Sequence, residues 1–177
     1  MSLMAVNRLV LAELKRHDWS RLQCGCGGTA EHVPSLLLGI VEATEDTASE
    51  VPTLEGHIEV EGNLFESAVP AVGVILAALA GDLAVDSRLE FLLTLTRLAG
   101  GDSHHLEVAR GRPSLGGECR SRMSEGIWIL LKEAFGSDRD LVADIMELID
   151  PDDGRRAYYS QIAASTKKPR HDSVPLS

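Results

Sequence analysis

Residues 67–76 read SAVPAVGVIL, and residues 31–40 read EHVPSLLLGI. The two align through Val33-Pro34 and Val69-Pro70, 36 positions apart. That period matches one helix–turn–helix unit, for which about 34 to 47 residues are usual. Apolar residues recur at helical spacing in both stretches. A proline inside each helix predicts a kink, because its ring crowds the preceding turn and it has no amide to donate.

Outward from this pair, the helical pattern repeats. DSRLEFLLTLTRLAG (86–100) and SDRDLVADIMELID (137–150) resemble each other as second helices of successive pairs, and GIWILLKEAFG (126–136) resembles a further first helix. Leu141, Val142, Ile145, Leu148 and Ile149 form one apolar stripe, with Asp140, Asp144 and Glu147 facing away. Thr47 with Glu50, Asn63 with Glu66, Ser87 with Glu90 and Ser137 with Asp140 have the spacing of helix start signals. Pro52 would sit in the first turn of the helix that Thr47 opens. Residues 4–16 predict a short amphipathic helix with Val6, Leu9, Val10 and Leu14 on one face, and Trp19 is expected to be a buried anchor. No stretch alternates at period two. The expected fold is all-α: helical pairs near 31–60, 65–100 and 118–150, a helix before them, and a short helix at 155–165. One domain would span 1–165, with a flexible tail at 166–177.

Composition fits an aliphatic helical core. Apolar residues make up 44% of the 177-residue chain but aromatics only 4%, so Leu, Val, Ile and Ala must fill the interior. The net charge of −10 repels phosphate backbones and anionic lipid, which disfavours nucleic-acid and membrane binding and suits a basic protein partner. The apolar run 68–80 is too short to span a bilayer. Three cysteines make no disulfide framework, and no amino-terminal signal pattern is seen, so a reducing cytoplasm is the expected setting.

These segments resemble a HEAT-like, armadillo-type family of bacterial proteins. The resemblance rests on DWSRL (18–22), GGTAEHVPSLL (27–37), EGNLFESAVPAVGVIL (61–76), DSRLEFLLTLTRLAGG (86–101) and CRSRMSEGIWILLKEAF (119–135), and covers roughly 17–150. Where the family carries a Gln-Gly pair, this chain has Glu61-Gly62. The resemblance implies a short right-handed α-solenoid of about three helical pairs that presents surfaces to other proteins, with no defining catalytic set and no cofactor. The expected function is therefore non-enzymatic scaffolding. Its concave face would be built from second helices, with Arg88, Glu90, Arg97, Asp140, Asp144 and Glu147 as candidate contacts.

The alternative function, a metal-binding protein or an enzyme using residues 100–118 and nearby cysteines and histidines, is carried by LQCGCGGTAEH (22–32) and by that loop. Cys24 and Cys26 could supply soft ligands to zinc, but structural zinc sites prefer two to four residues between cysteines and need two further ligands. His17, His32, His104, His105 and Cys119 are the candidates for completing such a set, and none has motif spacing. The competing expectation is a tight glycine turn with the thiols as small packing residues. Residues 100–118 lack periodicity and are expected to be a mobile insertion. Their His104, His105, Arg110 and Arg112 form a basic patch that could grip an anionic group. Acidic clusters such as Glu42, Glu45, Asp46 and Glu50 read as solvated surface, and Glu59, Glu61 and Glu66 flank a helix start. No nucleotide loop, serine triad or H-E-x-x-H motif occurs.

Overall fold

The computed structural model describes residues 7–165. The predicted tail, 166–177, and Val6 of the first predicted stripe lie outside that range. The chain is mostly helical. Its helices are α1 (Arg8–Lys15), α2 (Val33–Glu42), α3 (Ala68–Leu79), α4 (Val85–Gly100), α5 (His105–Ala109), α6 (Leu115–Glu125), α7 (Ile127–Glu133), α8 (Arg139–Ile149) and α9 (Asp153–Ser165).

The core is organised around α3, where ten of twelve residues are buried. A helix apolar on every side must be surrounded. It packs against α1 on one side and α6 on another, with α4 alongside, and α4 packs in turn on α8. Phe91, Leu92, Leu95 and Leu98 carry α4 into this core. In α1, Val10 and Leu14 are buried as expected, while Leu9 is more than half exposed. Trp19 is the predicted anchor: it is buried, and its indole Nε1 donates to the Leu14 carbonyl at 2.8 Å.

Several expectations need correction. The fold is not purely α-helical. A three-stranded sheet is formed by β1 (Glu59–Val60), β2 (Asn63–Leu64) and β3 (Asp102–Ser103), with β1–β2 antiparallel and β2–β3 parallel. Strands of two residues are too short to show alternation. Glu61 (φ 50°) and Gly62 (φ 78°) both adopt left-handed backbone, the requirement of a tight two-residue hairpin turn.

The first pair lacks its second helix. After α2 comes a 3-10 segment, Glu45–Glu50, broken at Thr47. The chain then runs extended, with Thr53 Oγ1 donating to Glu90 Oε1. Thr47 Oγ1 does not cap a helix, since it accepts from the Thr44 amide at 2.9 Å. Asn63 sits in β2, and Ser87 is buried inside α4, whose cap is Ala84. Asp138, rather than Ser137, occupies the cap position of α8.

The prolines do not kink their helices. Pro34 is the second residue of α2 and Pro70 the third of α3, positions where an amide has no intrahelical partner to lose. The third first-helix is divided at Gly126 into α6 and α7. Residues 100–118 are ordered by β3 and α5. The Asp102 amide donates to the Gly62 carbonyl and the His104 amide to the Leu64 carbonyl.

Candidate metal centre

The glycine-rich stretch folds into a closed turn. Gln23 and Thr29 pair across it, the Cys24 amide donates to the Gly28 carbonyl at 3.0 Å, and Gly27 takes a φ of 91°. Three residues later His32 occupies the cap position of α2. A second turn, closed by the His57 and Ile58 amides on the Leu54 carbonyl, carries His57. The Gly25 amide donates to the His57 carbonyl at 2.6 Å and joins the two turns.

Glycine at position 25 is forced by that junction. A Cβ there would lie 2.9 Å from Val60 Cγ2, 3.0 Å from the Gly56 carbonyl oxygen and 3.1 Å from Phe65 Cε2. With no side chain between them, the cysteines and His57 come together.

The ligand atoms of Cys24, Cys26, His32 and His57 all lie within 4.8 Å of one another. Cys24 Sγ is 3.5 Å from His32 Nε2 and 3.7 Å from His57 Nδ1. Cys26 Sγ is 4.0 Å from His32 Nε2, and the two ring nitrogens are 2.9 Å apart. With bonds of about 2.3 Å to sulfur and 2.0–2.1 Å to nitrogen, a zinc tetrahedron has edges of about 3.6 Å (S–N) and 3.3 Å (N–N). The four donors already sit near its corners.

Burial and mutual contacts shift the protonation of three of these groups. Burial, then the hydrogen bond with Cys26, pushes the Cys24 thiol up to about 11. The same hydrogen bond, with the Gly28 amide, holds Cys26 below the usual thiol range. Burial, then the His32 charge, lowers His57. Two imidazole nitrogens 2.9 Å apart share one proton, so at least one ring accepts as a neutral base. A metal ion held between the four atoms would take the place of such protons.

Cys24 is buried in the hydrophobic core, as the packing reading expects, and Cys26 is exposed; both also lie within 4.8 Å of two histidine ring nitrogens. Of the histidines proposed from sequence, only His32 joins the cluster. His57 was missed: it follows Cys24 by 33 residues with no motif spacing. The one hint was its place beside Gly56, in the stretch leading to the second Val-Pro helix. His17 instead pairs with Glu13 at 3.9 Å and meets Trp19 edge-on. Cys119 is buried in α6, its thiol pushed up to about 12 by burial and the Glu118 charge.

The 100–118 patch divides. His104 stacks on Phe65 and, with Arg110, lines a cavity of about 220 Å³ whose wall includes Cys24. His105 is exposed and lies against His104 at 4.1 Å. Arg112 is occupied by Glu66 and Glu118.

The other surface candidates also divide. Arg88 pairs with Glu133 at 2.6 Å, and Arg97 with Glu59 at 2.8 Å and Glu90 at 3.5 Å, so these three candidates knit elements together. Asp140, Asp144 and Glu147 are exposed on α8.

No family model matches this chain, and no curated protein and no solved structure is significantly similar to it. Among the described residues, no helix is long and apolar enough to cross a membrane.

Proposed function

We propose that this chain is a metal-binding helical protein in which Cys24, Cys26, His32 and His57 hold one zinc-type ion. The observation that carries this is the convergence of four soft or borderline donors from two turns to within 4.8 Å. Two thiolates and two imidazoles favour zinc over hard cations. Four protein ligands fill a tetrahedron, so the centre is structural, a clip between the turn before α2 and the turn before β1. Its work is to hold together the two turns of the amino-terminal third, where a second helix is missing.

That stack is read as a short solenoid of the HEAT-like kind. The packing of α3 on α6 and of α4 on α8 supports successive repeated pairs, α3 with α4 and α6–α7 with α8. Such a module presents surfaces to protein partners.

Elemental analysis tests the metal reading. Protein purified without a metal-affinity step and reconstituted with zinc should hold one ion per chain. Cys24→Ser and His57→Ala should each lose it, and Cys119→Ser and His17→Ala should retain it. Zinc content near zero after reconstitution, or equal loss in all four variants, would overturn the proposal. Cobalt(II) absorption should report tetrahedral sulfur–nitrogen coordination in the wild type.

A further inference from the structure

A band of exposed aromatic side chains lies far along the chain from the metal turns. Four of the seven aromatic residues fall between 128 and 159. Trp128 is 65% exposed, Tyr158 61% and Phe135 49%. Phe135 and the two tyrosines form a chain of rings, and Trp128 borders Arg155 of the tyrosines' helix. The Phe135 and Tyr159 rings are 6.0 Å apart, Tyr158 and Tyr159 are also 6.0 Å apart, and the Arg155 guanidinium lies 5.7 Å above the Trp128 ring. Exposed aromatics gathered in one patch mark interaction surfaces, where such rings supply most of the binding energy.

Beside this band, between α8 and α9, opens a cavity of about 410 Å³. Leu131, Val142, Met146 and Ala157 give it apolar walls, and Asp140 and Glu147 stand at its α8 edge. The cavity is large enough to receive a bulky apolar side chain.

The charge around it is predominantly acidic. Residues 138–156 hold seven acids and three arginines. Each arginine is engaged: Arg139 donates to the Ala163 carbonyl, Arg155 to the Asp150 carboxylate, and Arg156 to Asp150 and Asp153. Asp140, Asp144 and Glu147 recur at helical spacing and are exposed, and Asp144 and Glu147 have no ion-pair partner among the described residues. A second copy of this acidic chain would meet like charge here.

We propose that this face binds a basic amphipathic helix of a partner protein. One apolar side chain of that helix enters the α8–α9 cavity, its apolar face covers Tyr158 and Trp128, and its lysines or arginines meet Asp140, Asp144 and Glu147. The inference does not depend on the metal centre.

The test uses a fluorescein-labelled 18-residue leucine–lysine peptide with helical periodicity, and a scrambled peptide of equal composition with no apolar face. Anisotropy is read on the full chain in physiological salt. The periodic peptide should bind at least tenfold more tightly than the scrambled one. Asp144→Lys with Glu147→Lys, and separately Trp128→Ala with Tyr158→Ala, should each weaken it at least tenfold. The control Glu42→Lys with Glu61→Lys changes the charge equally on other elements and should leave affinity within twofold. Circular dichroism checks the fold of each variant. Equal binding of both peptides, equal loss in the control, or no binding would overturn the proposal. So would a dimer in sedimentation that Trp128→Ala abolishes, since a second copy would then cover the face.

Discussion

The amide of Gly25 donates to the carbonyl of His57 across 2.6 Å. This one bond locks together two turns whose side chains form the candidate metal centre. A backbone bond of this kind contributes roughly 1 kcal/mol, but its larger effect is positional, since ligands must be held to a fraction of an ångström.

Gly25→Ala should therefore injure the centre more than its single methyl suggests. The new Cβ meets a backbone oxygen at 3.0 Å and side chains at 2.9 and 3.1 Å. The turns must part. Zinc affinity should fall by roughly tenfold or more, the scale seen when supporting groups of a metal site are lost. Competition with a chromogenic chelator measures it. Unchanged affinity would show that the turns are not coupled in this way.

Metal removal should lower thermal stability. An ion that binds only the folded chain at a thousand times its Kd contributes about 4 kcal/mol. For a domain of this size that corresponds to a Tm rise of roughly 8–16 °C. Calorimetry with and without chelator reads it, and His57→Ala should abolish the difference. A chelator effect that survives in His57→Ala would place the stabilising ion elsewhere.

The three thiols should react in a fixed order. Cys26 is exposed with a lowered pKa, Cys24 is buried with a pKa near 11, and Cys119 is fully buried with a pKa near 12. In metal-free protein Cys26 should be alkylated about tenfold faster than Cys24, and Cys119 only on unfolding. Zinc should slow the first two. Mass spectrometry of quenched time points resolves each site, and early labelling of Cys119 would contradict the packing of α6.

Two buried carboxylates should push acid stability in opposite directions. Asp150 is gripped by Arg155 through bonds of 2.6 and 2.8 Å, and this holds its pKa below the usual range. Its contribution is present above the unfolded carboxylate pKa and is lost as pH falls through the folded one. Asp150→Asn should cost about 2 kcal/mol at neutral pH and flatten the acid limb. Glu107 is fully buried with neither oxygen hydrogen-bonded among the described residues, and burial, then Glu66, raises its pKa. It favours the fold at low pH, and that support fades as pH rises through its folded value. Glu107→Gln should therefore gain stability relative to wild type as pH rises. Urea melts from acid to neutral pH test both signs.

The sequence made α3, α4 and α8 readable because each carries a long apolar period, and Trp19 because a lone indole among polar neighbours is best buried. The missing helix after α2 was not readable. Its start signal at Thr47 was genuine in spacing, but Pro52 has no amide to donate, Gly56 turns the chain with a φ of 84°, and Glu90 on α4 captures Thr53 and the Leu54 amide there. Of the candidate metal set, Cys24, Cys26 and His32 were named from the sequence, though without motif spacing. His57 depended on contacts between turns, which no local pattern encodes. The 100–118 segment lacked periodicity because its order comes from pairing with the β1–β2 hairpin.

All four residues of the candidate metal centre belong to the first 57 residues, whereas β3 supplies its partners from Asp102 and Ser103. Synthesis runs from the amino terminus, and domains take shape as their segments emerge. Cys24, Cys26, His32 and His57 are thus all available before the sheet can close. An ion captured at that stage would draw two sequence-distant turns together early, so that the hairpin is already anchored when β3 arrives to pair with it.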